Sequence, residues 1–169
     1  MPDTTVDIIE PRLPPRPVRE SASEYSEIAL PNDANPLGNL LGGRVMHLVD
    51  LAGALAAARH SRLAVVTASV DSMTFLHRVH IGQLVILKSS VNRVFRTSME
   101  VGVKVWVEDL STGIRRHTSS AYLTFVALGS NNQRVPVAPV IPETPDEQRR
   151  FEGALVHREY RLSQKKPRA

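Results

Sequence analysis

Arg44-Val-Met-His-Leu-Val-Asp-Leu-Ala-Gly-Ala-Leu-Ala-Ala-Ala-Arg-His60 is the stretch on which the fold turns. It is alanine-rich, free of proline and apolar nearly all round, which predicts a buried helix of about four to five turns. Behind it the hydrophobic period changes to two. Val65–Phe75 and Leu84–Val94 are predicted strands. Thr97–Glu108 alternates, with Met99, Val101, Val103, Val105 and Val107 on one face and Ser98, Glu100, Gly102, Lys104 and Glu108 on the other. Asp109–Gly113 is turn chemistry closing a hairpin, and Arg115–Leu128 is a further long strand. Ahead of the helix, Tyr25–Leu30 is a short apolar run ended by the turn signal Pro31-Asn32-Asp33. One strand, one buried helix and then successive strands with short links predict an α+β fold, an antiparallel sheet wrapped around a single central helix.

The 169 residues make one domain. Pro2, Pro11, Pro14, Pro15 and Pro17 predict a disordered, proline-rich segment over residues 1–20. Residues 21–145 form the domain. Residues 146–169 are a basic C-terminal helix and tail, with the helix over Asp146–Leu162. The absence of cysteine excludes disulfides, thiolate metal sites and thiol nucleophiles, and fits a cytoplasmic setting. No apolar run approaches the roughly 18–20 residues of a membrane helix, and the N-terminus lacks the apolar core of a secretory signal. The net charge of +4 is concentrated at one end: Arg149–Ala169 carries seven bases and two acids, and the rest of the chain 14 bases and 15 acids. That distribution does not support a domain-wide nucleic-acid footprint.

Asp50 is the anomaly. On helical spacing it shares a face with Met46, Gly53, Ala54 and Ala57, while Leu48, Leu51, Leu55 and Ala58 lie opposite. A carboxylate in apolar surroundings costs several kcal/mol unless paired or protonated. It either pairs with Arg44 or Arg59 or a backbone donor, or it does chemistry. Gly42-Gly43 opens the helix, where unpaired amides and the positive dipole end can meet a polarised carbonyl. Asp50 lies two turns further along, about 10 Å at the usual helical rise. Asn35, in the preceding loop, offers a side-chain amide that can donate to a carbonyl or hold a water; before a proline it is equally a turn residue. The histidines show no metal-ligand spacing, and no serine sits in a nucleophile elbow. Neither a Walker sequence nor a dinucleotide fingerprint occurs. No metal or redox cofactor is expected.

Taken in order, Asn35-Pro-Leu-Gly-Asn-Leu-Leu-Gly-Gly-Arg-Val-Met-His-Leu-Val-Asp50, Val66-Thr-Ala-Ser-Val-Asp71, Phe75-Leu-His-Arg-Val-His-Ile-Gly82, Val91-Asn-Arg-Val-Phe-Arg-Thr-Ser-Met-Glu-Val101 and Ala121-Tyr-Leu-Thr-Phe-Val-Ala127 resemble the hotdog-fold acyl-CoA thioesterases, the acyl-CoA hydrolase family. The likeness spans roughly Tyr25 to Pro145. It implies a hotdog fold and hydrolysis of acyl-CoA to a fatty acid and free coenzyme A. It also implies catalysis by the positions of Asp50 and Asn35, and a site between two subunits of a dimer or a trimer of dimers. Arg78 departs from the resemblance, since the family often has proline there, which bears on the local loop shape.

In that reading Gly43, with Gly42, polarises the thioester carbonyl, and Asp50 activates water or attacks directly. The phosphates of coenzyme A need cations. Arg93, Arg96, Thr97 and Ser98 form a basic, hydroxyl-rich corner between two strands, and Arg78 and Lys88 are further candidates. Two rivals remain: a non-catalytic acyl-CoA-binding regulator on the same scaffold, and a dehydratase of 3-hydroxyacyl thioesters. The dehydratase is the weaker, because none of the histidines sits in a matching motif.

Overall fold

The computed structural model describes residues 13–165. Its centre is α1, Gly42–Ser61. Five strands cover it: β2 (Ser23–Ile28), β3 (Ala64–Val70), β4 (Leu84–Phe95), β5 (Ser98–Glu108) and β6 (Arg115–Leu128), in the order β2-β4-β5-β6-β3. Every pairing is antiparallel, so β2 and β3 are the two edges. The α+β architecture is the one expected.

The core is the interface between α1 and the inner sheet face. Val85, Leu87 and Val91 of β4, Met99, Val101, Val103 and Val105 of β5, and Ala121, Leu123 and Phe125 of β6 are all buried against it. The two-residue period of these strands thus aims one row of side chains at the helix. Gly53 is required by this contact: a Cβ there would stand 2.9 Å from the Phe125 ring. Ser89 Oγ, on the same face, donates to the Ala52 carbonyl of α1 at 2.7 Å.

The helix is not buried all round. Val45, Leu48, Val49, Ala52, Ala56 and Ala57 face the sheet, but Met46 (47%), Leu51 (42%) and Leu55 (45%) are exposed in the single chain. A sheet reaches only one side of a helix, and among the described residues nothing else covers the other. β3 also ends earlier than its composition predicts. The regular ladder stops at Val70–Leu123, with the Asp71 amide bonded to Tyr122 O. Residues 71–79 then run irregularly beside β6, tied to it by Leu76 N to Thr118 O and by the Ser119 hydroxyl to Thr74 O, and bring the Phe75 ring beside Gly42 of α1.

Residues 16–18 and 145–163 are more tightly held than composition suggests. Residues 1–12 and 166–169 lie outside the described residues, but the expectation of disorder up to residue 20 is corrected. β1 (Arg16–Pro17) pairs in parallel with β7 (Val140–Ile141). Arg16 N donates to Pro139 O, Val18 is buried, and Arg16 Nη1 caps the His60 carbonyl at 2.6 Å. A two-residue edge pairing tolerates Pro17, which has no N–H to contribute. At the other end α2, Pro145–Ser163, starts on a capping box between Thr144 and Glu147. It lies on the outer face of the sheet with Ala154 fully buried.

Outward-facing Glu100, placed on the polar face of β5 by its alternation, is completely buried beneath α2. His157 Nδ1 meets its Oε1 at 3.0 Å, Asn92 Nδ2 donates to it at 3.2 Å, and Arg161 Nη1 bridges Glu100 Oε2 (3.1 Å) and Asp71 Oδ2 (2.9 Å). Arg161 is therefore a clamp of α2 on the sheet.

Candidate active site

α1 begins without a side-chain cap. The Arg44 and Val45 amides turn back to Leu41 O, which leaves the Gly42 and Gly43 N–H groups as the open donors of the first turn. Beyond Gly43 there is open space where a side chain would stand. Arg44 is not available to Asp50. It is held by Glu27 Oε1 at 2.5 Å and Asp33 Oδ2 at 3.1 Å. The Tyr25 hydroxyl, and after it Arg44, keep the Glu27 carboxyl below the usual carboxylate range. Arg59 is likewise engaged, with Ala22 O and Ser23 Oγ.

Asp50 therefore has neither of the arginine partners available in the sequence, nor is it enclosed by apolar groups. It sits half-buried at the border of the covered face of α1. Thr67 Oγ1, on the edge strand β3, donates to its Oδ1 at 2.6 Å. Thr67 is a candidate site residue that sequence reasoning missed. A threonine in a β-strand is ordinary, and only the register of β3 against β6, with its irregularity between Thr67 and Ser69, aims this hydroxyl at α1.

Asn35 lies in the loop that leads to the helix. Its Oδ1 accepts from Leu37 N (3.0 Å) and Asn39 N (3.1 Å), so the side-chain carbonyl shapes the loop as a turn residue does, and Nδ2 is the group that can meet a ligand. Loop 71–82 is tied to it, through Leu40 N to Val79 O, Ile81 N to Gly38 O and a bridge between Asn39 and His80. Arg78 thus lies beside the Asn35 loop. Arg93, Arg96, Thr97 and Ser98 do not. They lie at the opposite end of twelve-residue β4 from that loop. Arg93 stacks on the Phe151 ring, 4.0 Å from its centroid, and donates to Phe151 O. Arg96 takes the left-handed turn position at φ 45°, and Ser98 Oγ donates to Phe95 O at 3.4 Å. Lys88 pairs with Glu24. Within one chain, then, Asn35, Gly42, Gly43 and Arg78 belong to one end of the molecule and the basic corner to the other, while the Asp50–Thr67 pair stands between them, Thr67 being level with Met99 across β6.

Residues 37–114 match the family model of the thioesterase superfamily. An uncharacterized acyl-CoA thioester hydrolase of Bacillus subtilis is 43% identical over 76% of this chain and 75% of its own length. The chain belongs to the acyl-CoA thioester hydrolases. A human cytosolic acyl coenzyme A thioester hydrolase is 35% identical over 86% of the chain and 40% of its own length. Among solved structures, an apo hexameric acyl-CoA thioesterase superposes with a TM-score of 0.86 at 38% identity, covering 89% of this chain and 97% of its own. That likeness makes the fold of this hydrolase a hotdog. The acyl-CoA hydrolase of Staphylococcus aureus, solved with butyryl coenzyme A, coenzyme A and coenzyme A disulfide, has a TM-score of 0.84 at 30% identity over 89% of this chain and 92% of its own. That enzyme has also been solved with an aspartate, an asparagine and a threonine each replaced by alanine.

Proposed function

We propose that the chain hydrolyses the thioester of acyl-CoA with Asp50 as the group that activates the attacking water. The observation that carries this is the Asp50–Thr67 contact two turns along a helix that starts on uncapped glycines. In the S. aureus enzyme the substituted asparagine precedes the aspartate by 15 residues and the threonine follows it by 17, and Asn35, Asp50 and Thr67 keep both spacings.

The thioester oxygen faces the Gly42 and Gly43 amides, which stabilise the negative charge as water adds to the carbonyl carbon. Asp50 takes the proton from that water. Thr67 Oγ1 holds one carboxylate oxygen, leaving the other to face the water. Asn35 Nδ2 orients water or carbonyl. The tetrahedral adduct then expels the coenzyme A thiolate, which takes up the proton held by Asp50 and leaves the free acid. Arg78 serves the coenzyme A moiety from the same chain. Arg93, Arg96, Thr97 and Ser98 serve it from a neighbouring subunit.

Assembly is part of this reading. The exposed stripe of Met46, Leu51 and Leu55 and the open edge of β3, with Val66 and Val70 exposed, leave apolar surface beside Asp50, and a second copy covers it in a dimer or a trimer of dimers. The hexameric relative and the human cytosolic one support a homo-oligomer acting in the cytoplasm.

Asp50→Asn tests the reading. It keeps the size of the side chain and removes the base, and turnover measured by thiol release is expected to fall about 10²–10⁴-fold. A folded, oligomeric Asp50→Asn variant with parental turnover would overturn it in favour of an acyl-CoA-binding regulator.

A further inference from the structure

A cleft of about 400 Å³ opens between the 77–83 segment and the β5–β6 hairpin. Arg78 and Arg116 both line it, with His77, His80 and Thr112. The two arginines come from elements 38 residues apart in sequence, and among the described residues neither makes an ion pair. Their counterparts elsewhere do: Arg44, Arg115 and Arg161 each have a carboxylate. Asp109 is the acid in the lining. Its Oδ1 accepts from the hydroxyl (2.6 Å) and amide (2.9 Å) of Ser111, which hold the carboxyl below the usual range and turn it into its own hairpin. Gln83 Oε1 is taken by His80 N, leaving its amide NH₂ as a donor into the cleft. Two guanidinium forks, an amide and a hydroxyl converging on a cavity of ligand size are the donor set of a phosphate group.

We infer that this cleft binds the phosphate of a phosphorylated ligand, through Arg78 and Arg116. It is joined to the active end of the molecule by the Asn39–His80 bridge and the Leu40 N to Val79 O bond. The phosphates of coenzyme A are one source, in which case the inference rests on the hydrolase reading. A free phosphorylated effector, held one loop away from Asn35, is the other.

The test is calorimetric titration of the full-length oligomer, parental and Arg116→Gln, with coenzyme A, with pantetheine and with inorganic pyrophosphate. Loss of one charge-assisted contact is expected to weaken binding about tenfold or more. Weaker coenzyme A binding with unchanged pantetheine binding assigns the cleft to the substrate. Weaker pyrophosphate binding with unchanged coenzyme A binding assigns it to a free effector. Parental affinity for both phosphorylated ligands overturns the inference, and so does a chain in which Arg96→Ala alone weakens coenzyme A. Arg116→Lys, which keeps the charge and loses the fork, should recover part of the affinity. Because binding is read directly, failure here is separable from failure of hydrolysis, which Asp50→Asn reports.

Discussion

Two carboxylates on neighbouring layers of this molecule are treated in opposite ways. Glu100 has no exposed surface, and its oxygens are met by Asn92, His157 and Arg161 from two other elements. Asp50 is half-exposed, with the Thr67 hydroxyl on one oxygen. A carboxylate that joins elements together needs its lone pairs filled, because each one left bare in a dry interior costs free energy. A carboxylate that must take a proton from a substrate water needs an oxygen left available. Surroundings, and not residue type, separate the structural acid from the one proposed to react.

Replacing each acid should break a different property. Asp50→Asn is expected to lose about 10²–10⁴-fold in turnover with its melting temperature near parental. Glu100→Ala should do the reverse. It strands His157 and leaves Arg161 with Asp71 alone, and is expected to destabilise by about 3–5 kcal/mol, with turnover per folded molecule retained; denaturant titration and thiol release separate the two. If Glu100→Ala folds normally, the outer cluster is not what holds α2 down.

Thr67→Val sharpens the comparison. It preserves shape and deletes the hydroxyl at 2.6 Å from Asp50, so turnover should fall about tenfold through a less well-held base, with little change in the Michaelis constant. Asn35→Ala should also lose less than Asp50→Asn. The double variant Asn35→Ala/Asp50→Asn should lose less than the combined single losses, since both groups act on one water.

The smallest effect concerns His60. It is fully buried, its Nε2 lies 2.7 Å from Ala138 O, and burial pushes its pKa below the ordinary 6.5. The unfolded chain therefore takes up this proton first as pH falls. The contribution of neutral His60 is complete above about pH 6.5 and declines below it until the folded form also titrates. His60→Gln should flatten the dependence of stability on pH in that window, as read by chemical denaturation at pH 5 to 7. An unchanged slope would place the acid sensitivity elsewhere.

The local periods were enough to predict one helix, the alternating strands and the turn at Asp109–Gly113, because side-chain period is a property of the chain itself. The segment Asn35–Asp50 named the loop, the helix start and the acid, since all three lie close in sequence. Tertiary structure decided the rest. Alternation could put Glu100 on an outer face but not reveal that α2 would bury it, because the partner helix lies more than forty residues away. Composition suggested unpacked proline-rich residues at 16–18, yet β7 supplied a partner for them. Thr67 looked like any strand threonine until the register of β3 turned its hydroxyl to Asp50. Arg78 and Arg116 carry no mark of association until the hairpin folds beside the 77–83 segment. Each of these depends on contacts between distant parts of the chain, and such contacts leave no periodic trace in the amino-acid order.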